Sequence, residues 1–539
     1  MANPESDLEK PPQGEMTPKI VAVIDIGSNS VRMAIAEVRP DAQFEIIERA
    51  VRPVRLGHST FVTGQLTRQT MNAAIAILRD YRRILDGYRA DQVLAVATSA
   101  VREAENRDAF VDRVAAATGF AVQTIEPVEE SRLLVSAVRQ AFAGDTSAYE
   151  GHALIVEIGG GSGLLTFLQD GEITSSEGYN LGSIRLQELL DTSHETPERA
   201  ADLLRHQIDN VVGAIRRTQP LFGVSSFVAV GGDARFAART IGEAGPGAQS
   251  RVVAKDKFDE LVSECEGQSA EDLARRYGLA FADAETLVPA LIAYRALLHA
   301  TKARRMIVSD VSMRDGLLLD LAREATGRDD PELAASILRA AESLGEKYRY
   351  DASHARHVAE LAVRLFDLLK TEHRLGPRHR LLLQVACILH EIGGYVGSRA
   401  HHKHSYYLLM NSPLFGLRGH EPEIVAHVAR YHRRAMPKRS HAEFMALRRE
   451  DRLVVAKLAA LLRVADALDR GHAQQAKDLT IEKSPEELRI TVKGAADLAL
   501  ERRALQAKSD LFQDTYGMEI RLAEDLTAVE GASDPRDAG

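Results

Sequence analysis

Two stretches of the chain combine a run of apolar residues with a glycine-rich turn. Residues 21–32 read V-A-V-I-D-I-G-S-N-S-V-R, and residues 153–165 read A-L-I-V-E-I-G-G-G-S-G-L-L. In each, a β-branched run long enough for one buried strand ends in a carboxylate, Asp25 or Glu157. A second apolar segment follows the glycines. The pattern predicts two β-hairpins whose tips offer backbone N–H groups to an anion, beside a carboxylate able to hold a metal.

One such pattern is also typical of an ordinary tight turn. The prediction of a phosphate site therefore depends on the presence of two copies. Each copy opens a domain-sized segment, which indicates a duplicated fold with a phosphate gripped between its halves. A Walker loop is not predicted, because no G-x-x-x-x-G-K-[ST] occurs near either stretch.

The remaining pattern alternates strands and helices and then becomes helical. Residues 67–88 have helical periodicity, and residues 93–97 form a short buried strand that ends in T-S-A-V-R. An arginine just past a strand end, here Arg102, can reach into a cleft. Residues 330–475 are rich in Leu and Ala and predict helices. The segments 479–481 and 488–492 predict a β-hairpin that is followed by helices.

Composition sets bounds on the class of protein. The chain has 539 residues, 45% hydrophobic and 27% charged, which predicts a globular protein of three or four domains. Two widely separated cysteines predict buried, inert thiols in a reducing compartment. No apolar run approaches a membrane span, so we expect a cytoplasmic protein without membrane contact. The net charge of −9 argues against general affinity for polyanions, and we expect no nucleic-acid partner.

Motifs along the first 316 residues resemble the exopolyphosphatase/guanosine pentaphosphate phosphohydrolase family of the actin, hsp70 and sugar-kinase superfamily. The string D-I-G-S-N-S is specific to that family, and I-G-G-G-S resembles its second phosphate loop. Further matches follow in the expected order: T-S-A-V-R at 98–102, E-E-S-R-L at 129–133, N-L-G-S at 180–183, V-G-G at 230–232 and S-D-V-S-M-R-D-G at 309–316.

The resemblance implies an α/β fold with duplicated actin-like (ribonuclease H-like) domains, then an all-α HD-like domain and a small α+β domain. The expected layout is a disordered tail at 1–18, actin-like domains I and II at 19–135 and 136–325, the HD-like domain at 330–475, the small domain at 476–525 and a tail at 526–539. By resemblance to the long family members we also expect a homodimer.

The resemblance also assigns roles within the predicted phosphate site. By sequence alone, the acidic pair at 129–130 is explained by the dipole of the helix that it opens. The resemblance reverses this interpretation and implies that Glu130 is the catalytic group. Asp25 and Glu157 are the expected ligands of Mg²⁺, with other divalent cations as the alternative. The expected phosphate-binding residues are Gly27, Ser28, Asn29, Ser30, Arg102, Gly159, Gly160, Gly161, Ser162, Gly231 and Gly232.

Three positions depart from the family pattern. Glu157 stands where Asp is usual, and it is still an oxygen ligand. Leu164 stands where a glutamate is usual, and leucine can neither ligate a metal nor orient water. Asp233 follows the third glycine turn, where its charge would repel a nucleotide phosphate, and this weakly favours polyphosphate over a purine nucleotide.

The helical region has histidines at a spacing that resembles the HD metal-phosphohydrolases. The pattern carries Glu391 in place of the usual Asp, and the longer arm of Glu would displace a shared ligand. The sequence therefore favours an HD-like helical fold that no longer binds metal. The histidines that are present support the alternative, a metal site. The residues of this HD-like site are His357, His390, Glu391 and Asp466, with His404 and His432 nearby.

The predicted function is Mg²⁺-assisted hydrolysis of the terminal phosphate of inorganic polyphosphate. Three alternatives stay open. Hydrolysis of guanosine pentaphosphate would use the same site. An HD-type phosphohydrolase would use the histidine region. A non-catalytic polyphosphate or nucleotide sensor is suggested by Leu164.

Overall fold

The computed structural model describes residues 18–247, 250–327, 331–412, 414–433, 435–477, 479–493 and 497–525. The tails predicted at 1–18 and 526–539 lie outside these residues, except for residue 18. The chain divides into two compact units, Met1–Asp330 and Pro331–Gly539. No helix in the described part of the chain is long and apolar enough to cross a membrane.

A five-stranded mixed sheet forms the first half of unit 1, in the order β3-β2-β1-β4-β5. Strand β1 pairs antiparallel with β2 and parallel with β4, which places Asp25 opposite both Arg32 and Val96. Because every residue from Val21 to Ile26 is buried, β1 is the centre of this half. The strands are β1 (Lys19–Ile26), β2 (Ser30–Val38), β3 (Phe44–Pro53), β4 (Gln92–Ala97) and β5 (Val122–Thr124).

A seven-stranded sheet forms the second half and repeats this topology, in the order β10-β11-β12-β9-β6-β7-β8. Strand β6 pairs antiparallel with β7 and parallel with β9, as β1 does with β2 and β4. Glu157 therefore lies opposite Leu164 and Val230. The strands are β6 (His152–Ile158), β7 (Gly163–Gln169), β8 (Glu172–Tyr179), β9 (Ser226–Val230), β10 (Glu243–Ala244), β11 (Ser250–Ala254) and β12 (Arg305–Ser309).

The helices of unit 1 begin at recognisable local signals. Thr67 accepts a hydrogen bond from the N–H of Thr70 and caps the helix predicted at 67–88. Pro127 occupies the first turn of the helix that carries Glu130, and Ser312 with Asp315 forms a capping box. The helices are α1 (Leu56–Thr63), α2 (Arg68–Tyr88), α3 (Ser99–Arg102), α4 (Arg107–Thr118), α5 (Pro127–Ala141), α6 (Ser183–Leu190), α7 (Pro197–Thr218), α8 (Gly232–Ile241), α9 (Lys255–Glu266), α10 (Ala270–Tyr277), α11 (Phe281–His299) and α12 (Met313–Thr326).

Unit 2 is a helical array with a small sheet, and one hydrophobic core runs through both parts. The two-stranded hairpin expected near 479–492 is present. It gains a third strand that the sequence did not predict, because the final segment returns to pair parallel with β14. The elements are α13 (Pro331–Lys347), α14 (Ala352–Leu368), α15 (Lys370–His373), α16 (Pro377–Leu389), α17 (His401–Met410), α18 (Glu421–Arg430), α19 (Ala442–Ala446), α20 (Arg449–Leu468), β13 (Leu479–Lys483), β14 (Glu487–Lys493), α21 (Ala499–Lys508), α22 (Asp510–Tyr516) and β15 (Glu519–Asp525).

Candidate active site

The turns that follow β1 and β6 meet inside unit 1 and form the walls of one cavity, here called the glycine-loop cavity. A Cβ atom added at Gly160 would lie 3.2 Å from the Cβ of Ser28. One added at Gly161 would lie 2.2 Å from the Oγ of Ser99. Because side chains at these two positions would collide with the opposite half, the absence of Cβ is what lets the two loops approach.

Backbone donors of both loops are left available by this arrangement. The N–H of Gly27 bonds to the carbonyl of Ser30, and the N–H of Gly159 bonds to the carbonyl of Ser162, so each loop is closed by the same contact. Within the described part of the chain, no acceptor takes the backbone N–H groups of Ser28, Asn29, Gly160 and Gly161. Uncommitted N–H groups at adjacent turns are the usual elements of a phosphate-binding site.

Arg185 on α6 holds the second loop against the first half of the unit. Its Nε donates to the carbonyl oxygen of Gly161 at 2.5 Å, and its Nη2 lies 2.6 and 2.8 Å from the two carboxylate oxygens of Glu103. The guanidinium also stacks over the ring of Phe61, 4.1 Å from its centroid. Gly182, just before this helix, packs so closely that an added Cβ would lie 2.2 Å from the carbonyl carbon of Gly161.

Asp25 and Glu157 both line the cavity, at the ends of the two central strands. Burial raises the pKa of Glu157, and the negative charge of Asp25 raises it further. Arg314 on α12 donates to the Oδ2 of Asp25 at 3.2 Å, and Arg32 lies 4.0 Å from the same oxygen. Arginines therefore balance part of this negative charge.

Glu130 also lines the cavity, from the first turn of α5. Its Oε1 accepts a hydrogen bond of 2.5 Å from the Nη1 of Arg102, which also donates to the carbonyl oxygen of Ile125 at 2.6 Å. Burial raises the pKa of Glu130 to about 7, against the opposing effect of Arg102. A carboxylate held in this way has a pKa suited to accept a proton near neutral pH.

The third glycine turn lies on the other side of the cavity, where Gly231 and Gly232 lead into α8. Gly231 has φ of 121°, and an added Cβ would meet the hydroxyl of Tyr294 at 3.1 Å. That hydroxyl accepts from the N–H of Ile158 and donates to the carbonyl of Val230, so it ties the ends of β6 and β9 together. Burial, with Asp283 nearby, raises the pKa of Asp233 to about 7.

Almost all of the predicted phosphate-site residues line this one cavity. The exception is Arg102, which is not part of the lining and instead contacts Glu130. Sequence reasoning did not assign Arg314, Arg235 or Asp283, which also line the cavity. Arg314 could have been predicted from the sequence, because it lies in the family motif S-D-V-S-M-R-D-G.

Family models match the chain in two consecutive segments. A model of the Ppx/GppA phosphatase family matches residues 34–325, and a model of Ppx/GppA phosphatase domain III matches residues 338–514. The chain belongs to the Ppx/GppA phosphatase family. The family resemblance and the prediction of a phosphoanhydride hydrolase are both confirmed.

Three similar proteins are each a quarter identical to this chain or less. Two curated relatives are called guanosine-5'-triphosphate,3'-diphosphate pyrophosphatase. The one from Aeromonas hydrophila is 25% identical over 402 residues, 74% of this chain and 77% of the relative, and the one from Aeromonas salmonicida is 25% identical over 403 residues with the same coverage. The crystal structure of an exopolyphosphatase from Cytophaga hutchinsonii is 22% identical and has a TM-score of 0.51, covering 58% of this chain and 99% of the other. This last similarity supports the fold alone.

The glycine-loop cavity of this Ppx/GppA protein has a donor set that fits Mg²⁺. The described residues that line it offer carboxylate and hydroxyl oxygens and include neither histidine nor cysteine. Hard oxygen ligands are those that Mg²⁺ prefers. The repulsion that raises the pKa of Glu157 beside Asp25 is also what a divalent cation between two carboxylates would relieve.

The predicted HD-like site of unit 2 needs a correction. His390, Glu391 and Asp466 do lie together, with ligand atoms within 4.8 Å of one another, but the histidine that joins them is His354 and not His357. His354 and His357 are three residues apart on the same face of α14, so both are plausible by spacing. The hydrogen bond from the Nδ1 of His354 to Asp469 selects the first. Likewise His401, not His404, joins Glu391 and His432 in a second group.

Proposed function

We propose that this protein is an exopolyphosphatase, which releases terminal orthophosphate from inorganic polyphosphate by attack of water. The observation that carries the proposal is the glycine-loop cavity, where four uncommitted backbone N–H groups from two opposed loops surround a space of about 140 Å³. That volume is well below the roughly 300 Å³ of the smallest ordinary ligand pockets. The cavity therefore suits one phosphoryl group, with the rest of the substrate outside it.

The proposed binding of the terminal phosphate relies on backbone donors and fixed charge. The N–H groups of residues 27–30 and 159–162 would bind its oxygens, and Gly231 and Gly232 would close the far side. Asp25 and Glu157 would hold Mg²⁺, directly or through water. When bound, the ion supplies positive charge to the phosphoryl oxygens and orients them.

Glu130 would orient the attacking water and accept its proton. The water oxygen forms a bond to the terminal phosphorus, the bridging P–O bond breaks, and the shortened chain leaves with the electron pair. Arg102 keeps Glu130 in place through their 2.5 Å hydrogen bond. A carboxylate with a pKa near 7 is a modest base, which suffices because phosphoryl transfer depends mainly on positioning and charge stabilisation.

A second candidate substrate is guanosine pentaphosphate, and the names of the two Aeromonas relatives favour it. The same cavity would then bind the terminal phosphate of the nucleotide. Asp233 lines the same cavity and burial raises its pKa to about 7, so its charge would act on the terminal phosphate of either substrate and does not distinguish them.

Phosphate release with Mg²⁺ from long-chain polyphosphate and from guanosine pentaphosphate, compared as kcat/KM, tests the proposal. We expect the higher value on polyphosphate. A far better value on the nucleotide would replace the first substrate by the second, and no release from either would overturn both. The cytoplasmic location, the homodimer and the lack of a nucleic-acid partner stay predictions.

A further inference from the structure

Six potential ligands converge inside unit 2, far along the chain from the glycine-loop residues; we call them the histidine cluster. They form two groups that share Glu391, and within each group the ligand atoms lie within 4.8 Å of one another. Three of the four imidazoles and the Asp466 carboxylate are almost completely buried. The first group is His354, His390, Glu391 and Asp466, and the second is Glu391, His401 and His432.

In each of the four imidazoles, the Nδ1 atom already has a hydrogen-bond partner outside the cluster. The Nδ1 of His390 lies 2.7 Å from the carbonyl oxygen of Cys387, and that of His432 lies 2.6 Å from the carbonyl oxygen of Ala429. The Nδ1 of His354 lies 2.8 Å from the Oδ2 of Asp469. The Nδ1 of His401 lies 3.3 Å from the carbonyl oxygen of Ser398. Because these oxygens only accept, Nδ1 carries the hydrogen, and the Nε2 of each neutral ring presents a lone pair to the cluster.

The inward-facing atoms are therefore acceptors that face other acceptors. The Nε2 atoms of His401 and His432 are 3.1 Å apart. Asp466 Oδ1 lies 3.7 Å from the Nε2 of His354 and 3.9 Å from that of His390. Neither of these two Nε2 atoms has a hydrogen-bond partner among the described residues. Buried lone pairs in this arrangement repel unless a cation lies between them.

One cationic side chain, a lysine, already contacts the cluster and balances part of its negative charge. Lys508 donates to the Oδ2 of Asp466 and leaves Oδ1 to the histidines.

We infer that the histidine cluster binds a divalent transition metal through His354, His390, Glu391 and Asp466, with an adjoining second position on Glu391, His401 and His432. Mixed imidazole and carboxylate ligands select Mn²⁺, Fe²⁺, Co²⁺ or Zn²⁺ over Mg²⁺. The committed Nδ1 atoms are the outer contacts that orient metal-bound histidines. Closing a 4.8 Å group around bonds of about 2.0–2.2 Å needs inward shifts of less than about one ångström per ligand.

The test uses the full chain, stripped with a chelator and titrated with Co²⁺ alone. We expect at least one Co²⁺ per chain to survive desalting, with the visible absorption of nitrogen- and oxygen-ligated Co²⁺. His390→Asn should weaken binding by about 100-fold or more, since even the loss of an outer contact costs roughly 10–100-fold. His357→Asn, the matched control one turn along α14, should leave it unchanged.

Two further variants are controls. One shows whether loss of Co²⁺ binding could be caused by misfolding, and the other shows whether Co²⁺ binds in the glycine-loop cavity instead. His401 is 16% exposed in its side chain, so His401→Gln should fold normally and still lose the second position. Asp25→Asn removes a carboxylate of the glycine-loop cavity and should retain Co²⁺. Absence of bound Co²⁺ in the wild type, unchanged binding in both histidine variants, or loss of Co²⁺ in Asp25→Asn would each overturn the inference, whatever the outcome for phosphate release.

Discussion

The glycine-loop cavity combines backbone hydrogen-bond donors with carboxylates, whereas the histidine cluster presents imidazole nitrogens and carboxylates. In the first, backbone N–H groups of residues such as Ser28 and Gly160 have no acceptor among the described residues, and arginines surround the carboxylates. In the second, imidazole nitrogens and carboxylate oxygens face one another. The backbone donors of the cavity suit an anion and its carboxylates suit an accompanying metal ion, whereas the histidine cluster suits a cation alone.

The two regions also differ in how the backbone takes part. Three glycine turns bring main chain to the cavity surface, and an added Cβ at Gly161 in the second turn, or at nearby Gly182, would block the close approach of backbone there. The histidine cluster instead uses side chains from packed helices, with backbone carbonyls fixing their orientation. Substitutions of glycine should therefore damage the first region alone, whereas substitutions of polar side chains can damage either region.

The largest expected effect is at Glu130. Glu130→Gln keeps the shape of the side chain but cannot accept a proton, so kcat for phosphate release should fall by roughly 10²–10⁴-fold with little change in KM. Glu126→Gln, at the exposed start of the same helix, is the matched control and should stay near the wild-type value. Near-normal turnover of Glu130→Gln would remove this residue from the mechanism.

Glycine substitutions test the importance of close backbone approach. Gly182→Ala would place a methyl group 2.2 Å from the carbonyl carbon of Gly161, and we expect a loss of about 1–3 kcal/mol in the free energy of unfolding, as for overpacked cores. Gly213→Ala in α7 meets nothing within 4 Å and should instead stabilise the protein by about 0.5–1 kcal/mol. Denaturant unfolding of both variants measures the difference, and equal effects would contradict the packing argument.

The pH dependence of activity tests the pairing of Glu130 with Arg102. A general base must be ionised, so kcat/KM should fall as the pH drops below about 7, the pKa to which burial raises Glu130. Arg102→Gln removes a positive charge that lowers this pKa, and the acid limb should move to higher pH by about one unit. The exposed Arg68→Gln serves as the control. An acid limb that stays in place, or moves to lower pH, would contradict the pairing.

The smallest expected effect concerns Lys508, whose ammonium group contacts the histidine cluster. Lys508→Met removes an ammonium group that competes with a metal for Asp466, and Co²⁺ affinity should rise by about tenfold or more because two like charges no longer repel. Titration of the chelator-treated variant beside Lys370→Met, an exposed control, measures this effect. Weaker binding in Lys508→Met would mean that the lysine supports the cluster rather than competing with a metal.

Sequence patterns by themselves determined the local elements and the family. The apolar runs before Asp25 and Glu157, the glycine turns and the Thr67 cap are signals within short stretches, and the structure has the corresponding strands, turns and helix. The family motifs quoted from the sequence agree with the match over residues 34–325. The phosphate-site residues could be chosen because each sits inside such a motif.

Tertiary structure decided which side chains meet across distant segments. His354 and His357 are equivalent by helical spacing, and only packing against α20, with Asp469 as a partner, selects His354. Arg314 reaches Asp25 across 289 residues, and Lys508 reaches Asp466 from another helix. Such contacts are set by how helices and sheets pack, since local periodicity fixes the face on which a residue lies and leaves its partner on another element undetermined.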